Sequence, residues 1–272
     1  MNQIVCPILL ALCVFGCAES SSSRSLSRSS NPLTGSPQGL VVEQWRYKGE
    51  DGRLDVVISE LLPDESPTIH GEEAFRRDGF RAVVLDAQGA QQLQATLDLD
   101  SPARRIQHGE AVAWRDLLTR TIETNTVVLE NGRARRLPQS IMGLAARGWS
   151  IPTVNGSAVH VQIVPHIIPE RTSISPNVRP GELRGQALSS TIETTLDEDT
   201  ILVVTSAPAL VKDEAQEQER NVSFLPSTGP NAPLPPTVAE LLLDGNNGSI
   251  RGVLLIRGTP NPAYRPQAKN TP

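Results

Sequence analysis

The four histidines are the residues whose chemistry is easiest to search for, because imidazole serves both as a general base and as a metal ligand. His160 and His166 stand six residues apart on a predicted strand. At ~3.3 Å per residue they share a face but lie about 20 Å apart, so we do not expect them to bind one metal ion. His70 and His108 fall in predicted loops beside Gly and Glu. The histidine spacing predicts no catalytic, cofactor-binding or metal-ligating residue.

A serine nucleophile has no recognisable motif in this chain. The sequence contains neither the GxSxG turn of many hydrolases nor a glycine-rich phosphate loop. Ser157 follows Asn155-Gly156, where a hairpin turn is the simpler interpretation. The members of a Ser-His-Asp triad can stand far apart in sequence, however. An uncharacterised periplasmic hydrolase is therefore kept as an alternative to a structural or protein-interaction role.

Charged residues cluster at several places without forming a known site. An arginine cluster can bind an anion, but isolated surface arginines are the commoner explanation. The clusters are Arg76, Arg77 and Arg81; Arg104 and Arg105; and Arg133, Arg135 and Arg136. The acidic run Asp197-Glu198-Asp199 is interpreted as a hairpin turn rather than a calcium site. The sequence thus predicts no cofactor.

Cys17 stands at the end of an apolar segment that covers residues 4–16. That segment has the length of a secretory signal and is too short for a membrane span of ~20 residues. An aliphatic residue, Val14, precedes Cys17 by three positions, and Gly16 stands directly before it. The following stretch is rich in Ser, Pro and Gly, which is typical of a flexible tether.

The sequence Val14-Phe15-Gly16-Cys17 resembles the lipobox of bacterial lipoproteins. The resemblance implies a signal peptide over residues 1–16, a lipid on Cys17 and a tether over residues 17–39. It also implies the outer membrane as the destination, because Ala18 stands where many inner-membrane lipoproteins have Asp. Cys6 and Cys13 would be removed with the signal peptide, so no disulfide is expected.

Composition limits the remaining possibilities. Aromatic residues make up 3% of the 272 residues and the net charge is −5, which argues against nucleic-acid binding. No second apolar stretch reaches membrane length, so we expect the lipid on Cys17 to be the only membrane attachment. Trp45, Trp114 and Trp149 fall in periodic segments and are predicted to be core residues.

An α+β part is predicted over residues 40–122. Its strands are expected at residues 40–45, 54–62 and 80–85, and its helices at residues 71–78, 87–97 and 110–122. The last of these repeats apolar residues near the helical period, although it ends in β-branched residues.

An antiparallel β part is predicted over residues 123–211, as a meander or a sandwich. Asn131-Gly132 is a strong hairpin signal. Strict alternation in residues 157–168 places Val159, Val161 and Ile163 on the core face and His160 on the other. Strands at residues 183–194 and 200–205 complete the meander. Beyond it we expect a linker (212–236), a helix and a strand that complete the fold (237–258) and a disordered tail (259–272).

The order of strands over about residues 125–206, with Ile163-Val164-Pro165-His166-Ile167 ending one of them, resembles the secretin homology domain. Secretins are outer-membrane secretion channels. The segment lacks their glycine density and lipid-facing strands, so the resemblance implies a soluble relative rather than a pore. The sequence therefore predicts a lipid-anchored envelope protein with a structural or protein-interaction role, not an enzyme.

Overall fold

The computed structural model describes residues 38–49, 53–62, 67–154, 156–169, 182–188, 191–207, 234–244 and 249–264. The strands are β1 (Gly39–Lys48), β2 (Phe80–Asp86), β3 (Arg104–Gly109), β4 (Ala111–Ile122), β5 (Thr126–Glu130), β6 (Arg133–Leu137), β7 (Ser140–Thr153), β8 (Gly156–Pro169), β9 (Gln186–Ala187), β10 (Ile192–Leu196), β11 (Thr200–Ser206) and β12 (Ile250–Thr259). The helices are α1 (Arg53–Leu61), α2 (Glu72–Arg77), α3 (Ala87–Thr96) and α4 (Val238–Leu243), followed by a 3₁₀ turn at Pro262–Tyr264.

Two antiparallel sheets form the body of the protein. The first sheet has the order β2-β11-β12-β1-β3, and the second has the order β10-β8-β7-β4 with β9 beside β8. The long hairpin of β7 and β8 pairs from Ser140–Pro169 to Thr153–Gly156. A separate hairpin joins β5 to β6. Both sheets contain strands from the two parts distinguished in the sequence, so those parts are interleaved in space.

The main hydrophobic core lies between the two sheets. Alternate residues of β1, such as Leu40 and Val42, pack with Val161 and Ile163 of β8 in this core. The other face of the first sheet carries a second cluster, in which Trp45 packs with residues of α1 and α3. Alternation along each strand thus produces three layers: helices, first sheet and second sheet.

Most predicted strands and helices are confirmed, and the protein is a β-rich fold with a small helical part. The expected core face of β8 is also confirmed, since Val159, Val161 and Ile163 are fully buried. Helix α4 begins as predicted at Thr237, whose side chain accepts a hydrogen bond from the Glu240 amide while the Glu240 carboxylate accepts one from Thr237. Such a reciprocal pair stabilises the first turn of a helix.

The strand predicted at residues 54–62 is wrong, because this segment forms α1. In a strand Leu54, Val56 and Ile58 would share a face. Instead Leu54 and Ile58 are buried while Val56 is 59% exposed, and Leu61 joins the buried pair. The spacing of the buried residues is therefore helical, and it outweighs the β-branched content.

The helix predicted at residues 110–122 is also wrong, because the segment forms β4. Its pairing with β7 shifts register between Ala111 and Arg115 and again between Asp116 and Leu118. These bulges break the alternation, so Leu117 and Leu118 both pack toward the core. The resulting pattern of apolar residues imitates a helical period.

The predicted meander ends earlier than expected. β11 does not follow β10 in the second sheet but crosses to the first sheet, where it pairs with β2 and β12. The two strands next to β11 therefore come from distant parts of the chain, which a local pattern does not predict.

Several predictions lie outside the described residues. These are the signal peptide with Cys6, Cys13 and Cys17, the tether up to residue 37, and most of the linker and of the tail. Within the part of the chain that the structure describes, no helix is both long and apolar enough to cross a membrane.

Candidate functional site

A groove of about 610 Å³ lies between the two sheets and is lined by residues of β1 and β3 on one side and of β4 on the other. One wall is the inward face of the first sheet. Along β1 this face changes from the core residues Leu40 and Val42 to the polar residues Gln44 and Arg46, which line the groove. The opposite wall is β4, and Leu242, at the end of α4, closes the inner side. The change from apolar to polar residues marks the point at which water enters between the sheets.

A sharp corner positions the two walls. The chain passes from β3, at the edge of the first sheet, to β4, at the edge of the second sheet, through Gly109, which has a φ of 67°. Gly39 lies so close to this corner that an added Cβ would stand 1.9 Å from the Gly109 carbonyl carbon. Beyond the corner, Glu110 accepts hydrogen bonds from the backbone and the hydroxyl of Ser150. The two edge strands are thus joined and held at the corner, and both contribute residues to the groove.

Three arginines line the groove: Arg46 on β1, Arg104 on β3 and Arg120 on β4. Arg46 and Arg104 are exposed, and within the described residues neither forms an ion pair. The Arg120 guanidinium donates hydrogen bonds to the carbonyl oxygens of Leu241 and Asp244, the latter at 2.9 Å. The arginines of the groove are therefore held by backbone groups or exposed to solvent, and the groove also contains the carboxyl groups of Asp116 and Asp244.

Asp244 is a buried carboxylate that follows α4 on the inner side of the groove. Its two oxygens accept hydrogen bonds from the Ser206 hydroxyl at 3.0 and 2.8 Å, and Oδ1 also accepts one from the Gly252 amide at 3.2 Å. Arg251 Nη1 lies 3.7 Å from Oδ2. Burial raises the pKa of Asp244 to about 6, although the Ser206 and Gly252 hydrogen bonds lower it.

The histidines occupy separate environments, as their spacing predicted for His160 and His166. His166 is fully buried with Nε2 3.3 Å from Asp116 Oδ1, whereas His160 Nε2 lies 3.9 Å from Glu193 Oε2. Burial lowers the pKa of His166, and the charge of Asp116 opposes that effect. Gly143 makes room for the imidazole, since a Cβ there would stand 2.6 Å from its Nε2.

The prediction that His70 and His108 lie in loops is wrong for His108, which belongs to β3. Its pKa is lowered by burial first and by the charge of Arg115 second. His70 forms an isolated antiparallel bridge with Glu193 just before α2.

The contact between Asp116 and His166 brings a carboxylate and an imidazole together, as a hydrolase would require. Within the described residues, no serine or threonine hydroxyl forms a hydrogen bond with His166. Ser157 belongs to β8, and its hydroxyl is buried without a hydrogen-bond partner. The described residues also contain no group of three or more His, Cys, Asp or Glu side chains suited to a metal ion.

Two of the predicted core tryptophans lie instead on the outer face of the second sheet. Trp45 is buried, as predicted, but Trp114 and Trp149 are only half-buried. The Arg147 guanidinium lies 4.6 Å from the ring centre of Trp114 and 5.6 Å from that of Trp149. Gln162 continues this row by hydrogen bonding to Arg147 and Glu193.

The predicted arginine clusters do not assemble into one patch. Arg81 pairs with Asp55, Arg77 pairs with Glu73, and Arg135 pairs with Glu130. Arg104 is the member that joins the groove. The acidic run 197–199 forms a turn, as predicted, with the Asp197 carbonyl accepting hydrogen bonds from Thr200.

Sequence reasoning missed the groove and its residues Arg46, Arg120 and Asp244. One signal was present for Arg46: it shares the parity of Leu40 and Val42 along β1, which places a charge on the core-facing side of a strand.

Comparisons with protein-family models, with curated proteins and with solved structures find no match for this chain.

Proposed function

We propose that this chain is a lipid-anchored protein of the bacterial envelope, held at the outer membrane through Cys17, and that its role is structural or protein-interacting. The observation that carries the interaction role is the groove between the two sheets. Two edge strands border it, arginines line it, and its volume of about 610 Å³ admits a segment of another molecule. The lipobox-like segment before Cys17 supports the anchor.

A relationship to the soluble β-domains of secretion systems is a further part of this proposal. This relationship is supported by β7, β8 and β10, which are antiparallel neighbours in the second sheet and follow one another in the order that the resemblance implies. The placement of β11 in the other sheet limits the resemblance to residues before 200.

The hydrolase alternative has less support. Its best observation is the contact between Asp116 and His166, but the imidazole is fully buried. A general base needs to reach the proton that it removes from a substrate or a nucleophile. His166 satisfies this requirement less well than a histidine that lines the groove would.

The anchor is tested by replacing Cys17 with Ser and feeding cells a labelled fatty acid. We expect the Cys17→Ser variant to lose the label and to leave the membrane fraction, because the sequence offers no apolar stretch of membrane length that could replace the lipid. Cys13→Ser is the matched control, since it removes a thiol from the same apolar segment and should keep the label. Undiminished labelling of Cys17→Ser would contradict the anchor.

The interaction role is tested by placing a photoreactive amino acid at Thr119, an exposed residue of β4 that lines the groove. Irradiation of intact cells should join the protein to a second envelope protein. Val154, which is 99% exposed at the end of β7, is the control position and should give no such adduct. Equal adducts at the two positions, or none at Thr119, would contradict a role for the groove.

A further inference from the structure

The groove follows the edge of a strand rather than one of its faces. Five consecutive residues of β4, Asp116 to Arg120, line it. Side chains of a strand alternate between two faces, so a cavity that touches every residue in a row runs along the strand's edge. The register shift between Asp116 and Leu118 adds to this by turning two successive leucines the same way. The groove therefore gives access to backbone groups of β4.

That edge is open within the described part of the chain. β4 is the last strand of the second sheet and pairs only with β7. The facing strand, β3, is likewise the last strand of the first sheet and pairs only with β1. An open edge presents amide and carbonyl groups that can pair with another extended chain.

The wall opposite β4 favours acidic side chains, although Asp116 of β4 is exposed in the same groove and carries the opposite charge. Arg46 and Arg104 are exposed on the wall opposite β4. Arginine binds carboxylates in a two-pronged geometry, which makes it specific as well as attractive. Between the charges, Ile106, Leu242 and Ile250 offer apolar surface to the alternate side chains of an added strand.

We propose that the groove binds an extended acidic segment of a partner protein, which pairs with the free edge of β4 while Arg46 and Arg104 bind its carboxylates. This inference rests on the interaction role proposed above and names the chemistry of the partner. Strand addition provides affinity through backbone hydrogen bonds, and the side-chain contacts provide specificity. An anionic lipid headgroup would use the arginines but not the open edge, so the strand is the occupant that accounts for both features.

The test uses the full chain in detergent and a fluorescein-labelled ten-residue peptide of alternating Val and Glu, with fluorescence anisotropy as the measurement. The reference peptide has Gln in place of Glu. We expect the acidic peptide to bind more tightly and to weaken as salt is added, because the arginines are exposed and screened. Arg46→Gln and Arg104→Gln should each weaken binding about 3- to 5-fold, which is the upper part of the range for an exposed ion pair.

Arg105→Gln is the matched control. Arg105 adjoins Arg104 on β3, so it points to the other face of the sheet, and the substitution changes the net charge by the same amount. The affinity of the Arg105→Gln variant for the acidic peptide should stay within about 2-fold of the wild-type affinity. This change is smaller than the loss expected for an arginine that binds the peptide. Equal losses in all three variants would indicate a general charge effect and overturn the inference.

Strand addition itself is tested by amide hydrogen exchange of the full chain. Saturating acidic peptide should slow exchange within residues 116–120 and leave β10, at the opposite edge of the same sheet, unchanged. Unchanged exchange in β4, or equal binding of the acidic and Gln peptides, would overturn the inference. Binding of the protein to anionic vesicles is measured in parallel. If neither peptide binds, and if Arg46→Gln and Arg104→Gln lose binding to the vesicles, the groove binds a lipid headgroup and the inference is overturned. If the peptide fails while Thr119 still gives a protein adduct, the proposed function stands and this inference falls.

Discussion

Asp244 connects four elements through one carboxylate and its adjoining backbone. Its oxygens accept hydrogen bonds from β11 through Ser206 and from β12 through Gly252, and its carbonyl accepts one from Arg120 of β4. It follows the last residue of α4. The position of α4 at the inner side of the groove thus depends on this residue.

The ionisation of Asp244 makes stability depend on pH. Its pKa is about 6 in the folded protein and near 3.8 in the unfolded chain, so the folded state holds the proton more tightly. The stabilising contribution of the protonated form is complete below about pH 4 and is lost as pH rises through about 6. The free energy of unfolding should fall by roughly 3 kcal/mol across that window from this group alone.

Asp244→Asn should remove this dependence, because the amide imitates the protonated acid at every pH. Urea unfolding at pH 4, 5, 6 and 7 gives the difference in free energy of unfolding between variant and wild type. We expect the difference to move in favour of the variant as pH rises. His108 and His166, whose lowered pKa values act in the opposite direction, are common to both proteins and cancel. A difference that is constant with pH would contradict the argument.

At the scale of elements, β8 is buried on both faces along part of its length. Val161 and its alternates fill the core between the sheets. On the other face Gln162 is 8% exposed, and Val164 and His166 are at most 1% exposed. The outward face of this strand, which the alternation placed opposite the core, is therefore also part of the packed structure.

Substitutions on the two faces of β8 should differ in degree. Val161→Asn places a polar group in the core without a partner, which costs about 1–3 kcal/mol in addition to the packing that is lost. Gln162→Ala removes hydrogen bonds to Arg147 and Glu193, which costs about 1 kcal/mol. Val154→Asn is the same Val-to-Asn change at a fully exposed position, so it should leave the free energy of unfolding unchanged.

Urea unfolding of these three variants measures the changes in free energy. The order Val161→Asn, then Gln162→Ala, then Val154→Asn is the expected result, from the most to the least destabilised. A Val161→Asn protein as stable as Val154→Asn would show that this face of β8 is not the core.

The elements that sequence predicted well are those whose pattern is simple. β2 and β8 show unbroken β-branched or alternating residues, and α4 carries its own capping residues. The wrong predictions have definite causes. In α1 the valines and the isoleucine favoured a strand, but the buried residues Leu54 and Ile58 have helical spacing. In β4 the bulges place apolar residues at intervals that imitate a helix.

The groove was beyond sequence reasoning because it is assembled from distant segments. Arg46, Arg104 and Arg120 stand on three different strands, and Asp244 comes from far along the chain. Only the fold brings these residues together. The prediction that Cys17 carries a lipid, by contrast, rests on a local motif of adjacent residues alone.

At the scale of the whole molecule, the groove and the residue at which β1 begins occupy different ends of this strand. Gly39, where β1 begins, lies against the Gly109 corner, whereas Gln44 and Arg46 line the groove farther along the strand. Arg46 stands seven positions after Gly39 along the strand, roughly 23 Å at ~3.3 Å per residue. Under the proposed anchoring through Cys17, the chain that leads to the lipid therefore joins β1 at the end of the strand that is remote from Arg46.

The pairing of β1 with β12 has a consequence for the order of events in folding. Gly39 pairs with Thr259, and β12 stands between β1 and β11 in the first sheet. Until β12 is available, β1 and β11 have no common neighbour, and the first sheet lacks its central strand. A topology with such long-range pairings gives a high contact order, for which folding in milliseconds to seconds is typical rather than microseconds. The first sheet therefore cannot be completed before residues 250–259 are available, and until then the partly folded chain exposes apolar surface that can aggregate.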